Sequence, residues 1–346
     1  MNVVKNNELN LQAAKGASAM HTFQELSQLF ESQFAVRHFP VAPASLYEPA
    51  QYILQLGGKR IRPVLCLMAN ELVNSIDPDA YPAANAIELF HNFTLIHDDI
   101  MDKAPLRRGL ETVHQKFGES TALLAGDVML VAAYEFLTQL DVRHLKKVIK
   151  LFNQTARQVC EGQQIDMDLS ALETGDKDVN VNFDEYVKMI ELKTSVLLAA
   201  SLQMGAIIGG AGVGNQKSLY QFGKYLGLAF QVQDDYLDAF GEPEKFGKIK
   251  GGDILANKKT FLLIHAFEVA GKGQLDQMQD VLMGSESNKV DTILRIYKEC
   301  NVDAWAEELK TKYYQKALEH LEEVAIVSSR KKPLADLAAY LMKRDY

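Results

Sequence analysis

The chain has 346 residues, 47% of them hydrophobic and 24% charged, with a formal net charge of −8, an ordinary composition for a globular protein able to bury a sizeable core. The acidic balance excludes a general nucleic-acid binder and a surface recruited to membranes by basic charge, while leaving room for a few basic groups focused on a small anion. The cysteines Cys66, Cys160 and Cys300 are scattered and odd in number, which excludes a disulfide framework or a zinc site and suits a reducing, cytoplasmic setting.

Residues 1–20 are polar and asparagine-rich. They lack the apolar run of a signal peptide and the arginines of a transit peptide, so a flexible N-terminal tail is expected. Apolar residues three or four apart then predict helices over 23–37, 45–56, 63–76, 81–103, 120–138 and 143–168. The same period continues over 183–209, 215–240, 258–270 and the segments after 290. Pro63 suits the first turn of a helix, and Pro105 with Gly109, then Gly241-Glu242-Pro243, end helical segments. The polar runs 170–182 and 241–252 are expected to be loops. No period-2 strand pattern and no Asn-Gly or Asp-Gly hairpin signal is present. The longest apolar run, Ser195 to Gly214, approaches the length of a membrane span. Ser201, Gln203 and the pair Gly209-Gly210 interrupt it, which predicts a buried core helix and no membrane insertion. The expected fold class is all-α, a single-domain helical bundle.

Two helical segments carry the same acidic pattern. Asp98, Asp99 and Asp102 lie in LIHDDIMD, and Asp234, Asp235 and Asp238 in FQVQDDYLD. Residues three and four apart share one helical edge, so each DDxxD motif projects carboxylates together. Like charges about 4 Å apart repel by roughly 4 kcal/mol at an effective dielectric near 20. Two such clusters facing one cavity therefore call for cations between them. Oxygen ligands suit Mg²⁺, which commonly bridges carboxylates to substrate phosphates, and the absence of His or Cys ligand spacing argues against zinc.

Basic groups accompany both motifs. Lys59, Arg60 and Arg62 in LGGKRIRP follow Gly57 and Gly58, which let the backbone approach a ligand. Cations at the start of a helix make an anion site. Arg107 and Arg108 follow the first motif, and arginine grips phosphate in a bidentate fork. Lys193 and Thr194 sit inside a helical run, and Lys248, Lys258 and Lys259 follow the second motif.

Taken together and in order, GGKRIRP (57–63), HDDIMDKAPLRRG (97–109), GD (126–127), GQQID (162–166), KT (193–194), FQVQDDYLD (230–238) and GKIKGGD…NKKT (247–260) resemble the trans-type polyprenyl diphosphate synthase family. That family includes farnesyl and geranylgeranyl diphosphate synthases. The resemblance implies a polyprenyl synthase domain over 21–346, a bundle around a deep cavity, and a homodimer. It implies head-to-tail condensation of isopentenyl diphosphate with an allylic diphosphate. Three Mg²⁺ would be held by Asp98, Asp102 and Asp234, with Asp99, Asp235 and Asp238 as direct or water-mediated support. The allylic diphosphate would meet Arg107, Lys193, Thr194, Gln231, Lys248 and Lys258. Isopentenyl diphosphate would meet Lys59, Arg62, His91 and Arg108. Phe93 and Thr94, a turn before Asp98, would set product length; one aromatic beside a small threonine favours geranylgeranyl and then farnesyl diphosphate. NKKT departs from the family's commoner GKxT. The alternatives are a class I terpene cyclase, which normally carries a different second motif, and a non-catalytic regulatory subunit, which tends to lose the aspartates kept here. The C-terminal SRKKP and the segment after it either close over the site or cap the bundle.

Overall fold

The computed structural model describes residues 20–171, 182–241, 250–284 and 288–343, so the expected tail falls almost wholly outside the described residues. Helices run in the order α1 Phe23–Phe34, α2 Ala44–Gln55, α3 Ile61–Val73 and α4 Ala80–Met101. After a short hairpin (β1 Leu106–Arg107, β2 Leu110–Glu111) come α5 Val113–Phe117, α6 Glu119–Leu137, α7 Val142–Ala171 and α8 Phe183–Ile190. A single π turn, Glu191–Ser195, leads into α9 Val196–Ile208, followed by α10 Val213–Phe240. The rest is α11 Gly252–Leu255, α12 Phe261–Val269, α13 Lys272–Met283, α14 Lys289–Glu299, α15 Val302–Glu322 and α16 Ser328–Lys343.

The bundle is built around α9. Every residue of this helix except Gln203 is buried, as befits a helix with almost no polar face. Around it pack α3, α4, α7 and α10. Close approach is possible because Gly205 presents no side chain: a Cβ there would stand 2.0 Å from the Cys66 carbonyl oxygen of α3. The expected buried core helix is thus borne out. One apolar core joins α1–α4, α6, α7 and α9, and a second joins the far end of α10 to α12–α15. Helix starts follow capping chemistry. Thr22 and Glu25 form a capping box on α1, and Asn182 and Thr260 cap α8 and α12.

The all-α class is as expected, with three local corrections. The segment 183–209 is interrupted by the π turn. Helices α5, α11 and α13 lie where no helix was expected. A two-stranded hairpin also exists, Leu106 pairing Glu111 and Arg107 pairing Leu110. Two-residue strands are too short to display alternation. The turn is Arg108-Gly109, with φ of 54° and 78°, the two positive values that a primed hairpin turn requires. The C-terminal helix α16 caps the bundle: it packs on α15, α10, α3 and α1, and Arg330 donates to the Leu72 and Glu71 carbonyls at the end of α3.

Candidate functional site

Helix α4 delivers the first aspartate cluster at its C-terminal end. Asp99 is buried, and Arg107 forks onto both of its oxygens at 2.8 and 2.7 Å. That bidentate pair folds the hairpin back against α4. Thr112 Oγ1 donates to the Ala104 carbonyl at 2.8 Å and Tyr52 Oη to the Glu111 carbonyl at 2.9 Å, so both ends of the hairpin are pinned. Asp98 is half-buried and Asp102 is exposed. Burial pushes the Asp98 carboxyl up to about 6; Asp102 and Asp166 push the same way, while Lys193 and Arg107 oppose.

Asp166 is a site residue that the sequence reading passed over, although it ends the quoted GQQID. It lies on α7 and accepts from Lys193 Nζ at 2.6 Å. The available signal was spacing: Asp166 is one turn beyond Gly162, whose missing side chain admits the Lys193 backbone. A Cβ on Gly162 would meet Lys193 N at 2.3 Å. Lys193 sits in the π turn, and one-turn π insertions in α-helices occur often at functional sites. Thr194 is its half-buried neighbour.

Helix α10 brings the second cluster. Asp234 is half-buried. Asp235 is buried, accepting from Tyr186 Oη and Gln231 Nε2, each at 2.7 Å. Burial, then Asp253, push its carboxyl up to about 7. Asp238 is also buried and accepts from the Asp253 backbone N–H at 3.0 Å, holding the start of α11. Lys258 stands 3.7 Å from Asp253. Burial alone would lower its pKa, but Asp253, Asp235, Asp166 and Asp102 raise it. One lysine therefore feels carboxylates of both clusters, which puts the two motifs at the same end of the bundle. In NKKT, Asn257 takes the left-handed conformation (φ 54°) and Lys259 ties to the Leu169 carbonyl of α7 at 2.5 Å, so Lys258 alone of the pair is turned to the acidic groups. Lys248 lies outside the described residues.

A separate basic pocket forms where α3 begins. Arg62 and His91 meet at 3.1 Å. Burial, opposed by Glu88 and aided by neighbouring Arg108, lowers the Arg62 guanidinium to about 10. Burial and the four arginines Arg62, Arg108, Arg107 and Arg60 hold His91 well below the usual imidazole range, so it is neutral. The Arg108 guanidinium lies against Gly58, where a Cβ would stand 3.0 Å from Nη2. Lys59 is exposed beside it. Arg60 is structural: it is buried in ion pairs with Glu31 at 2.7 Å and Glu88 at 2.5 Å. Glu88 also accepts from Asn92 at 2.9 Å, leaving the pocket strongly cationic. Arg62 Nε is buried without a hydrogen-bond partner, a donor left for a ligand.

The carboxylate chemistry fits a hard divalent cation. Asp102 and Asp166 add to burial in raising the proton affinity of Asp98, the mark of a site short of positive charge. Mg²⁺ takes oxygen ligands and commonly completes its shell with waters and substrate phosphates. Above this end, Phe93 stands 5.6 Å from Phe90 and 4.7 Å from His97, ring to ring, and Phe90 stands 5.2 Å from Phe152. Thr94 Oγ1 donates to the His91 carbonyl at 2.8 Å.

The chain is similar to known proteins over most of its length. Residues 43–300 match the polyprenyl synthetase family model. A geranylgeranyl diphosphate synthase of Methanosarcina mazei is 36% identical over 312 residues, covering 88% of this chain and 91% of its own. A solved geranylgeranyl pyrophosphate synthase superposes with a TM-score of 0.87 at 43% identity, covering 94% of this chain and 99% of its own. The corresponding synthetase of Pyrococcus horikoshii gives 0.85 at 32% identity over 93% and 98%. Members of this family work with Mg²⁺. The chain belongs to the polyprenyl synthetase family and is a prenyltransferase.

Proposed function

We propose that the enzyme condenses isopentenyl diphosphate head to tail with an allylic diphosphate and releases a short-chain all-trans prenyl diphosphate, geranylgeranyl first and farnesyl next. The observation that carries this reading is the division of charge. One region mixes carboxylates from α4, α7 and α10 with Lys193 and Lys258; the other, at Arg62, His91 and Arg108, is cationic. The first suits a diphosphate bound through metal ions, the second a diphosphate bound directly. A class I cyclase has no use for the second pocket.

Asp98, Asp102 and Asp166 on one side and Asp234 on the other would hold Mg²⁺, three ions if the family pattern applies. The bound ions would supply charge neutralisation to the departing pyrophosphate. Lys193 and Lys258 aim fixed positive charge at the same leaving group, and they are already oriented by Asp166 and Asp253. Asp99 serves by holding Arg107, Asp238 by holding the turn before Lys258. Arg62, Arg108 and Lys59 anchor isopentenyl diphosphate so that its double bond stands next to the allylic carbon, turning an encounter into an intramolecular attack. His91, neutral, donates or accepts without adding charge. Water must be kept from the allylic cation, and the departing pyrophosphate takes the proton.

Chain length is assigned to Phe93, backed by Phe90 and Phe152. Incubation with isopentenyl diphosphate, Mg²⁺ and dimethylallyl, geranyl or farnesyl diphosphate should give a twenty-carbon alcohol after dephosphorylation. Phe93→Ala should move the main product up by at least one five-carbon unit. An unchanged distribution in the variant removes Phe93 as the stop, and no elongation from any primer removes the function itself.

The enzyme would act as a homodimer in the cytoplasm. On α6, Leu123, Leu124 and Val131 are 49, 56 and 55% exposed, an apolar stripe that a second copy would cover. A monomer in sedimentation equilibrium at micromolar concentration would contradict this assembly.

A further inference from the structure

Asp235 follows Asp234 directly, yet both of its oxygens are engaged within the protein, one by Tyr186 Oη and one by Gln231 Nε2. Tyr186 has little freedom. Its ring belongs to the buried apolar cluster that includes Leu228 and Phe261, with the Phe261 ring centroid 6.2 Å away. The residue is 5% exposed, and its hydroxyl is the one polar atom of the side chain. A buried hydroxyl of this kind is aimed by the packing of its ring. Tyr186 also lies two turns before Lys193 on the continuous helix formed by α8 and the π turn. That helix therefore grips both flanking helices: Lys193 holds Asp166 of α7, and Tyr186 holds Asp235 of α10.

We propose that Tyr186 is a positioning residue of the second aspartate cluster: through Asp235 it fixes the direction of Gln231, and with it the donor that Gln231 offers to the allylic diphosphate. A carboxamide carries two N–H donors in one plane. Once Asp235 accepts the first, the plane and the direction of the second are set. Asp235 can do this only while its own carboxylate is held from the other side, which is the task of the Tyr186 hydroxyl. The proposal rests on the reading of this cluster as the allylic-diphosphate site.

Tyr186→Phe removes the hydroxyl and keeps the ring. It should raise the KM for the allylic diphosphate about tenfold, the size expected for one lost hydrogen bond to a charged group. The KM for isopentenyl diphosphate should stay unchanged, a split that a merely structural tyrosine would not produce. In a Gln231→Met background the same substitution should have no further effect on the allylic KM, because Gln231 is the group through which Tyr186 acts. Equal rises in both KM values, or additive effects of the two substitutions, overturn the proposal. If Tyr186→Phe does not fold, Asp235→Asn is read for the same split, with the same two outcomes. Undiminished turnover in Asp234→Ala would be a different failure, that of the allylic-site reading itself.

Discussion

Asp98→Ala is expected to lower kcat by at least roughly a thousandfold, about 4 kcal/mol of transition-state stabilisation, while leaving the metal-free protein at least as stable as the parent. The two halves of this expectation have one cause. Asp98 is half-buried near Asp102 and Asp166, and burial lifts its pKa from 3.8 to about 6. A folded-state carboxyl with a raised pKa keeps a proton that the unfolded chain has already released. Its favourable contribution is complete below 3.8 and is lost as pH rises through about 6. At pH 8 the ionised group therefore opposes folding, and its removal relieves that strain. The same carboxylate is what a Mg²⁺-bound diphosphate needs, so the group costs stability to provide chemistry. Asp234→Ala should lose turnover to a similar extent. Asp99→Ala provides the contrast: it abandons Arg107 and frees the hairpin, so stability and activity should fall together. Steady-state kinetics with thermal melts, without and with Mg²⁺, separate the cases. Near-normal turnover in both Asp98→Ala and Asp234→Ala would remove the metal-assisted mechanism.

Much of this site can be read in the chain because its chemistry is carried by repeated residue types at helical spacing. Two DDxxD motifs on apolar helices announce a cation-bridged anion site, and GGKRIRP announces the second anion. The structure brings Arg62, His91 and Arg108 together and puts Lys193 and Lys258 among the carboxylates. What the sequence withheld is how the charges are shared. Arg107 looks in the sequence like a free phosphate fork, yet it is committed to Asp99. Arg60, in a run with Lys59 and Arg62, is instead the buried partner of Glu31 and Glu88. These pairings join residues eight to twenty-nine positions apart across different elements, and helical periodicity does not encode them. Asp166 was hidden for the opposite reason: a single carboxylate after Gln-Gln-Ile has no local partner, and its role exists only because Gly162 lets the Lys193 turn come close. The hairpin escaped because two-residue strands have no period and an Arg-Gly turn is an uncommon way to obtain two positive φ values.

Gly162→Ala is expected to be the most damaging change outside the charged residues. By intrinsic propensity an alanine in the interior of α7 should help by up to about 1 kcal/mol. Here its Cβ would stand 2.3 Å from Lys193 N, 2.7 Å from Leu192 C and 2.8 Å from Lys193 Cα. All three neighbours are backbone atoms, so no side-chain rotation relieves the clash. Helix α7 and the π turn must move apart, and overpacking of this kind costs roughly 1–3 kcal/mol. The net loss of stability is then modest, a few degrees in Tm for a chain of this size. The loss of activity should be far larger. Separation by about 1 Å stretches the 2.6 Å contact between Lys193 and Asp166 and moves a cation away from the leaving group, and such a misplacement can cost about a hundredfold in rate. Gly273→Ala makes a matched control, since a Cβ there meets nothing within 4 Å; it should keep parental kcat and melt no lower than the parent. If Gly162→Ala also kept parental kcat, the π turn would have to hold Lys193 in place without the close contact to α7, and the rate would depend on the turn's own hydrogen bonding instead.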